Sequence, residues 1–198
     1  MLYWTRTKCS LIPGIELVVP LYYVYEDVPL RTDMRGDSSH IAFDYILDAG
    51  RTPIHSYCDL SIGLRHMPVA DTTKYYIVQK AGKWRSSMGG TNANGWIQTL
   101  VRALGIFSVD VDTIAPQITP IGQGGWRTSR NIRFRIKDME SGIENYKVYI
   151  DGKVVLFGLK KGILVIQNPE KVKKGVPHKL EVTVTDHCGN MPRKEYKF

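Results

Sequence analysis

Two prolines four residues apart, Pro116 and Pro120, most constrain how this chain can fold. Proline has no amide hydrogen, so it cannot donate to the hydrogen-bond ladder of a central strand. It also disfavours helical backbone at the preceding residue, here Ala115 and Thr119. We therefore predict that residues 112–121 form an extended connector, stiffer than a Gly/Ser linker, and that the chain divides there.

Short segments on both sides of the connector alternate apolar and polar residues and are separated by turn residues. Residues 131–137 are the clearest case, because Ile and Phe alternate with Arg and Lys. Asp151-Gly152 predicts a hairpin, since both central residues of a type I′ turn need positive φ. The pattern predicts an all-β protein with two β-sandwich domains, residues 1–111 and residues 112–198, the second immunoglobulin-like.

Some local predictions follow from the same reading. The polar residues 31–40 predict an exposed loop, and residues 153–157 predict one strand returning from the Asp151-Gly152 turn. Trp84 and Trp96 are expected in the core of the first sandwich, because large aromatic side chains carry much of a core's burial.

Charge is distributed unevenly along the chain. Residues 1–112 hold 11 Lys/Arg and 11 Asp/Glu, whereas residues 113–198 hold 16 and 8, so the whole net charge of +8 lies in the second half. This asymmetry supports two units and raises an acidic partner for the second as a hypothesis, although a plain solvated basic surface is the commoner explanation of such a charge. No apolar run approaches the ~20 residues of a membrane-spanning helix, and the 43% hydrophobic content excludes a disordered chain.

The compartment is less constrained by the sequence. The first residues lack the basic and then apolar build of a signal peptide, so either the protein is cytoplasmic or an export signal precedes this chain. Three cysteines, Cys9, Cys58 and Cys188, have no metal-like spacing. Cys9 and Cys58 could pair in an oxidising compartment, and three unpaired thiols are the alternative.

A series of short motifs runs through residues 9–198 in a fixed order. In the second half they are Asp112-Thr113-x-x-Pro116, Asp138-x-x-Ser141-Gly142-Ile143, Tyr146-x-x-x-Ile150-Asp151-Gly152-Lys153 and Leu180-x-Val182-x-Val184-x-Asp186-x-x-Gly189-Asn190. In the first half they are Thr52-Pro53-Ile54-His55, Asp59-Leu60-Ser61-Ile62, Gly82-Lys83-Trp84, Gly89-Gly90, Gly95-Trp96 and Leu104-Gly105-x-Phe107. The series resembles the C-terminal, non-catalytic β-sandwich region of lysostaphin/LytM-type zinc endopeptidases of Bacteroidetes.

The resemblance implies an accessory role in a cell-wall enzyme. Peptidases of that family hold zinc with a His, an Asp and a second His that belongs to a His-x-His pair, and use a further catalytic His. No His-x-His occurs in this sequence. The five histidines are scattered, at His40, His55, His66, His178 and His187. The resemblance therefore implies no catalytic residue, metal ligand or cofactor here, with zinc only in an upstream peptidase domain.

The function expected from the resemblance is to position or anchor an exported protein at the periplasm or cell envelope through protein or glycan binding. Its expected partners are peptidoglycan or another anionic envelope polymer, and its own upstream peptidase domain. Nucleic acid is not expected, because aromatic residues do not interleave with the basic ones. A hydrolase using His40 or His187 and a purely structural spacer are the alternatives.

Four residues are the candidate binding residues. Trp126 follows Gly124-Gly125 in a predicted loop, where an exposed indole could contact a glycan. Arg133, Arg135 and Lys137 lie on the outer face of a predicted strand and could meet an anionic polymer. A second basic run, Lys171, Lys173 and Lys174, could contribute to the same surface.

The remaining candidates have a plain structural alternative. Asp112, Asp138, Asp151 and Asp186 end predicted strands, where they could bind Ca²⁺ or simply form Asx turns. Asp186-His187-Cys188, with His178, contains soft-metal ligand types that also suit a turn. Ser38, Ser39, His40 and Asp44 are hydrolase residue types without a G-x-S-x-G turn. Arg35-Gly36-Asp37-Ser38 matches an integrin-binding tetrapeptide that often occurs by chance.

Overall fold

The computed structural model describes residues 1–5, 7, 12–37, 39–50, 52–129, 131–167 and 176–198. Strands make up 52% of the protein and helix 3%, and the strands form four antiparallel sheets, which confirms the all-β, sandwich-type fold. Within those ranges, no helix has the length and apolar character needed to cross a membrane. The chain divides into two compact units, Met1–Asp112 and Thr113–Phe198.

The first unit contains nine strands in its described residues. They are β1 (Ile15–Val18), β2 (Arg31–Arg35), β3 (Asp44–Asp48), β4 (Cys58–Gly63), β5 (Tyr75–Ala81), β6 (Trp84–Ser87), β7 (Thr91–Ala93), β8 (Trp96–Val101) and β9 (Gly105–Val111). One sheet has the order β1-β4-β8-β7, and the other has the order β2-β3-β9-β5-β6. Their inner faces share one core, in which Leu60 and Ile62 of β4 and Leu47 and Phe107 of the second sheet are fully or almost fully buried.

The strand β2 corrects the prediction of an exposed loop over residues 31–40. Arg31–Arg35 pairs antiparallel with β3, with Arg31 opposite Asp48 and Met34 opposite Tyr45. It is an edge strand that is polar on both faces, so it lacks the apolar alternation by which strands are recognised. The segment can be identified as a strand only from its hydrogen-bonded pairing with β3.

The second unit contains eight strands in its described residues. They are β10 (Gln117–Ile121), β11 (Asn131–Lys137), β12 (Ile143–Ile150), β13 (Lys153–Val154), β14 (Phe157–Lys160), β15 (Ile163–Gln167), β16 (Lys179–Asp186) and β17 (Arg193–Lys197). The sheets have the orders β10-β11-β15-β14 and β13-β12-β16-β17. These orders match the ABED and CFG sheets of an immunoglobulin fold, with β13 added beside the C-type strand.

The connector is shorter than predicted. Residues 112–116 link β9 to β10, but the second proline, Pro120, lies inside β10 opposite Phe134. The strand tolerates it because β10 is at the edge of its sheet and pairs on one side only. Pro116 is buried just before the strand begins.

Two-residue turns fix the register of several hairpins. Both central residues have positive φ at Asn94-Gly95, Asp151-Gly152 and Lys161-Gly162, as a type I′ turn requires. The turn predicted at Asp151-Gly152 therefore pairs β12 with β13.

The strand predicted over residues 153–157 is in fact divided between two sheets. Lys153–Val154 pairs with β12, whereas Phe157–Lys160 pairs with β15 in the opposite sheet. Val155 is buried at the point of crossing. Apolar residues follow one another along the chain through this crossing. In sequence, the segment therefore resembles one continuous strand.

Candidate functional site

The outer face of the sheet β10-β11-β15-β14 is cationic. Arg133, Arg135 and Lys137 are exposed on β11, while Ile132, Phe134 and Ile136 between them point into the core. Lys160 of β14 lies across the same face, because Lys160 and Arg135 are both paired with Ile163. We call Arg133, Arg135, Lys137 and Lys160 the basic face.

The four described strands that carry the basic face supply no negative charge to neutralise it. The four strands of this sheet contain neither Asp nor Glu. Half-buried aliphatic residues lie beside the cations, since Ile121 and Val165 are the direct cross-strand partners of Arg133. Within the described ranges, no carboxylate pairs with Arg133, Arg135 or Lys137. The guanidinium and ammonium groups are therefore free to meet anions from solution.

The outer face of the other sheet in the same unit is different. There Lys179 Nζ lies 2.8 Å from Glu181 Oε1 and 3.0 Å from Glu195 Oε1, and Arg193 Nη2 lies 2.7 Å from Glu181 Oε2. These bonds lower the pKa of the Glu181 carboxyl, first through the hydrogen bond from Lys179. Lys179 and Arg193 on this sheet are thus paired with carboxylates, whereas Arg133, Arg135 and Lys137 are not, and the two faces of one sandwich differ in this respect.

The structure places Trp126 in the core and corrects the prediction of an exposed loop tryptophan. Its side chain is 1% exposed, and its ring packs edge-on against Phe134, Tyr196 and Phe198 with centroid distances of 5.0–6.2 Å. A short 3₁₀ turn at Gln123–Gly125 directs the indole inward. Trp126 can therefore support the sheet beneath the basic face, but it cannot contact a ligand on the surface.

The tryptophans of the first unit are also placed differently from expectation. Trp84 begins β6, the edge strand after the Gly82-Lys83 turn, and its side chain is 80% exposed. Trp96 is half-buried, and its ring lies beside Gly63, so close that a Cβ added at Gly63 would be in van der Waals contact with it. The expectation that both pack the core is wrong for Trp84, because the first three residues of the edge strand β6, Trp84 among them, are all exposed.

Two of the predicted strand-end aspartates meet in the second unit. The carboxylates of Asp138 and Asp186 lie within 4.8 Å of each other, and Asp186 is fully buried. Asp112, which ends the first unit, is also fully buried. Carboxylate oxygen is the ligand type that Ca²⁺ prefers. Asp151, the fourth predicted member, is not part of this group.

Hydrogen bonds show the local role of two of these aspartates. Asp138 Oδ1 accepts from the amides of Glu140 and Gly142. Asp186 Oδ1 accepts from the amides of Cys188 and Asn190, and its Oδ2 accepts from Asn190 Nδ2. The predicted Asx turns are thus confirmed at both positions, and Ca²⁺ binding stays a prediction.

The soft-metal candidate residues are not gathered around one point. His178 Nδ1 lies 2.6 Å from Asp151 Oδ2, and Asp151 Oδ1 accepts from the Lys179 amide. The Lys179 amide, and then His178, lower the pKa of Asp151 by bonding its charged form. Cys188 is a buried cysteine in the turn that Asp186 closes. These residues fix two turns of the second unit.

The described hydrolase candidates Ser39 and His40 form a hydrogen-bonded turn with Asp37 rather than a catalytic series in which the serine bonds the histidine. Ser39 Oγ donates to Asp37 Oδ1 across 2.5 Å, and His40 Nδ1 lies 3.0 Å from the same oxygen. Ser39 therefore bonds the carboxylate and not the imidazole, and its bonds lower the pKa of Asp37 to about 2. Asp44, the predicted third member, instead bonds Lys80 Nζ on β5. The Asp37 carboxylate is engaged by bonds within the loop. It is therefore less available to a receptor that would recognise the Arg35-Gly36-Asp37-Ser38 tetrapeptide.

Several sequence candidates lie outside the described residues. They are Cys9 of the predicted Cys9–Cys58 pair, Ser38, and the basic run Lys171, Lys173 and Lys174. Cys58 itself is a buried free thiol on β4.

Comparison with known proteins bears on the first unit. The family model described as Zu5-like domain matches residues 1–112, the same span as the first compact unit. No curated protein matches the chain. The sequence motifs, most of which lie in turns, do not indicate this family. The family's description does not mention a metallopeptidase. Since the match covers more than half of the 198 residues, this chain belongs to the Zu5-like domain family.

Proposed function

We propose that this chain is a non-catalytic accessory region of an exported, cell-wall metallopeptidase-like protein. Its role is to hold that protein at the envelope by binding peptidoglycan or another anionic polymer through the basic face. The observation that carries the proposal is the contrast between the two outer faces of the second unit. One sheet has no Asp or Glu in its strands, whereas the other carries Glu181 and Glu195, which pair with its Lys179 and Arg193.

The geometry of the basic face suits a linear polymer. Alternate residues of a strand lie about 7 Å apart, so Arg133, Arg135 and Lys137 form a regular row of charges. Lys160 adds a cation across the sheet, and Ile163 and Val165 of β15 give the face apolar contact area. A row of this kind engages several charges of one chain at once, whereas a small anion meets one of them.

Individual contacts of this kind are weak. Exposed ion pairs contribute about 0.2–1 kcal/mol each in water. Three contacts to one polymer therefore contribute roughly 1.5 kcal/mol, which corresponds to about tenfold in affinity. Such binding is sensitive to salt, because the Debye length falls from about 30 Å at 10 mM to about 10 Å at 100 mM.

The test is co-sedimentation of the full chain with purified peptidoglycan sacculi. We expect retention at about 10 mM salt and release at about 300 mM. The variant Arg133→Gln/Arg135→Gln/Lys137→Gln should bind about tenfold more weakly. Its matched control is Lys147→Gln/Lys194→Gln/Lys197→Gln, which removes the same charge from exposed positions of the other sheet.

The charge-matched control makes the outcome specific. Equal loss in both variants would show that only net charge matters, which contradicts a role for the basic face. Absence of retention at low salt would contradict the proposed binding to the wall polymer.

A further inference from the structure

The loop between β1 and β2 in the first unit exposes a cluster of aromatic side chains. Trp4 is 46% exposed, Tyr22 59% and Tyr25 65%. Trp4 and Tyr22 meet edge to face with centroids 5.7 Å apart, and Tyr25 meets His55 in the same way at 6.0 Å. We call Trp4, Tyr22, Tyr25 and His55 the aromatic loop cluster. In each pair the edge of one ring covers part of one face of the other, and about half or more of each of the three side chains stays exposed. Exposed aromatic groups brought together on one loop mark a binding surface.

The backbone of the cluster is strained at Tyr22. Its φ of 65° lies in the left-handed region, which is unfavourable for a bulky residue and natural for glycine. The amide of Tyr22 donates to Trp4 O across 2.6 Å, which holds the ring beside the indole. Strain of this kind is concentrated at binding and catalytic sites. A glycine would relieve the strain, so the presence of tyrosine indicates a use for its ring.

Hydrogen bonds hold the residues of the same cluster in place. Tyr25 Oη lies 3.0 Å from His55 Nδ1, and the His55 amide donates to Tyr23 O across 2.8 Å. Arg102 Nη2 donates to His55 O, and Asp27 Oδ1 accepts from the Trp4 amide across 3.0 Å. The cluster thus combines ring faces with a hydroxyl, an imidazole, a carboxylate and a guanidinium.

These features together point to a sugar. A pyranose ring has an apolar C–H face that stacks on an aromatic ring, and hydroxyls that both donate and accept hydrogen bonds. Aromatic side chains present about 150–250 Å² each, so three half-exposed rings offer a few hundred Å². A stable protein interface needs about 800 Å² per partner, which is larger than this cluster.

We propose that the aromatic loop cluster binds a neutral oligosaccharide of about two to four sugar units. The described charged groups of this loop and its bonds are Glu26, Asp27 and Arg102, so the cluster lacks the cationic excess of the basic face. A neutral ligand has no charge for salt to screen, so this binding is insensitive to salt. It belongs to the first unit and is independent of polymer binding by Arg133, Arg135 and Lys137, so either proposal can fail alone.

The test is calorimetric titration of the full chain with chitotetraose and with cellotetraose. We expect at least one of them to bind, with the same affinity at about 50 mM and about 500 mM salt. Trp4→Ala and Tyr22→Gly should each lower that affinity at least tenfold. Tyr22→Gly removes the ring and relieves the positive φ, so its melting temperature should equal or exceed that of the unsubstituted protein.

The matched control is Trp84→Ala, which removes another exposed indole from a different element, the edge strand β6. It should bind the tetrasaccharide unchanged. Absence of binding by both tetrasaccharides, or equal affinity in Tyr22→Gly, would overturn the proposal. Binding of an apolar dye that depends on Tyr22 while neither sugar binds would also overturn it, because it would indicate an apolar partner.

Discussion

The indole Nε1–H of Trp126 donates a hydrogen bond to Ile121 O across 3.0 Å, which joins the 3₁₀ turn to the end of β10. The same ring lies against Phe134 of β11 and against Tyr196 and Phe198 at the end of the chain. Trp126 therefore links an edge strand of one sheet to the last strand of the other. Its packing supports the basic face from below.

Removing this ring should destabilise the second unit. We expect Trp126→Ala to lower its free energy of unfolding by about 3–5 kcal/mol through loss of burial and the resulting cavity. Trp126→Phe should cost less, because it keeps much of the packing and loses mainly the bond to Ile121 O, worth about 1–3 kcal/mol. Urea unfolding followed by far-ultraviolet circular dichroism measures both. A change below about 1 kcal/mol for Trp126→Ala would contradict the buried position.

The Asp186 turn gives an ordered pair of substitutions. Asp186→Ala leaves two backbone amides and Asn190 Nδ2 without their acceptor, so it should cost about 3 kcal/mol or more. Asp186→Asn keeps one oxygen for the amides and loses the bond from Asn190 Nδ2, so it should cost less, at about 1 kcal/mol. Thermal and urea unfolding give the order. Higher stability in Asp186→Asn would instead show that repulsion between the Asp138 and Asp186 carboxylates outweighs the lost bond.

The Asp151 turn should give a pH-dependent contribution to stability. Its carboxyl pKa is lowered by the Lys179 amide, by His178 and, through its charge, by Lys153. A lowered folded-state pKa stabilises the fold above the unfolded value near 3.8, and this stabilisation is lost as pH falls through the folded value.

The variant Asp151→Asn tests this pH dependence, because asparagine also tolerates the left-handed backbone of the turn. The protein should be more stable than the variant above about pH 5, and the difference should shrink as pH falls below about 4. Chemical unfolding at a series of pH values measures it. A difference that is constant down to pH ~2 would show that the carboxylate charge is not the cause.

Cys58 should resist alkylation in the folded protein. Burial, with a smaller effect of the neighbouring Asp59 charge, raises the pKa of its thiol to about 11. At about pH 8 the reactive thiolate is then roughly a thousandth of the total, against roughly a quarter for an ordinary thiol with a pKa near 8.5. Iodoacetamide labelling read by peptide mass spectrometry should modify Cys58 only after unfolding. Labelling at equal rates in folded and unfolded protein would contradict this.

Much of the local structure could be predicted from short stretches of sequence. The alternation in residues 131–137 corresponds to strand β11, and Asp151-Gly152 forms the predicted turn. Both depend on neighbours within a few residues. The outward positions of Arg133, Arg135 and Lys137 follow from the same alternation, because consecutive strand residues point to opposite faces.

Features that depend on distant partners were not predictable in this way. Whether Trp84 is covered depends on which distant residues pack over its ring, and Arg31–Arg35 is a strand only because it pairs with β3. The aromatic loop cluster joins Trp4 and His55 to the loop of Tyr22 and Tyr25, although these residues are far apart in sequence. No local pattern indicates such contacts.

The sequence by itself determined the β class, the turns and the sides of the strands, because backbone sterics and side-chain alternation act between near neighbours. Tertiary structure alone decided which loop residues are buried and which cations stay unpaired. Trp126 is covered by Tyr196 and Phe198 from the end of the chain, and Arg193 is neutralised by Glu181 on the next strand. Arg133, by contrast, faces Ile121 and Val165 and keeps its charge available.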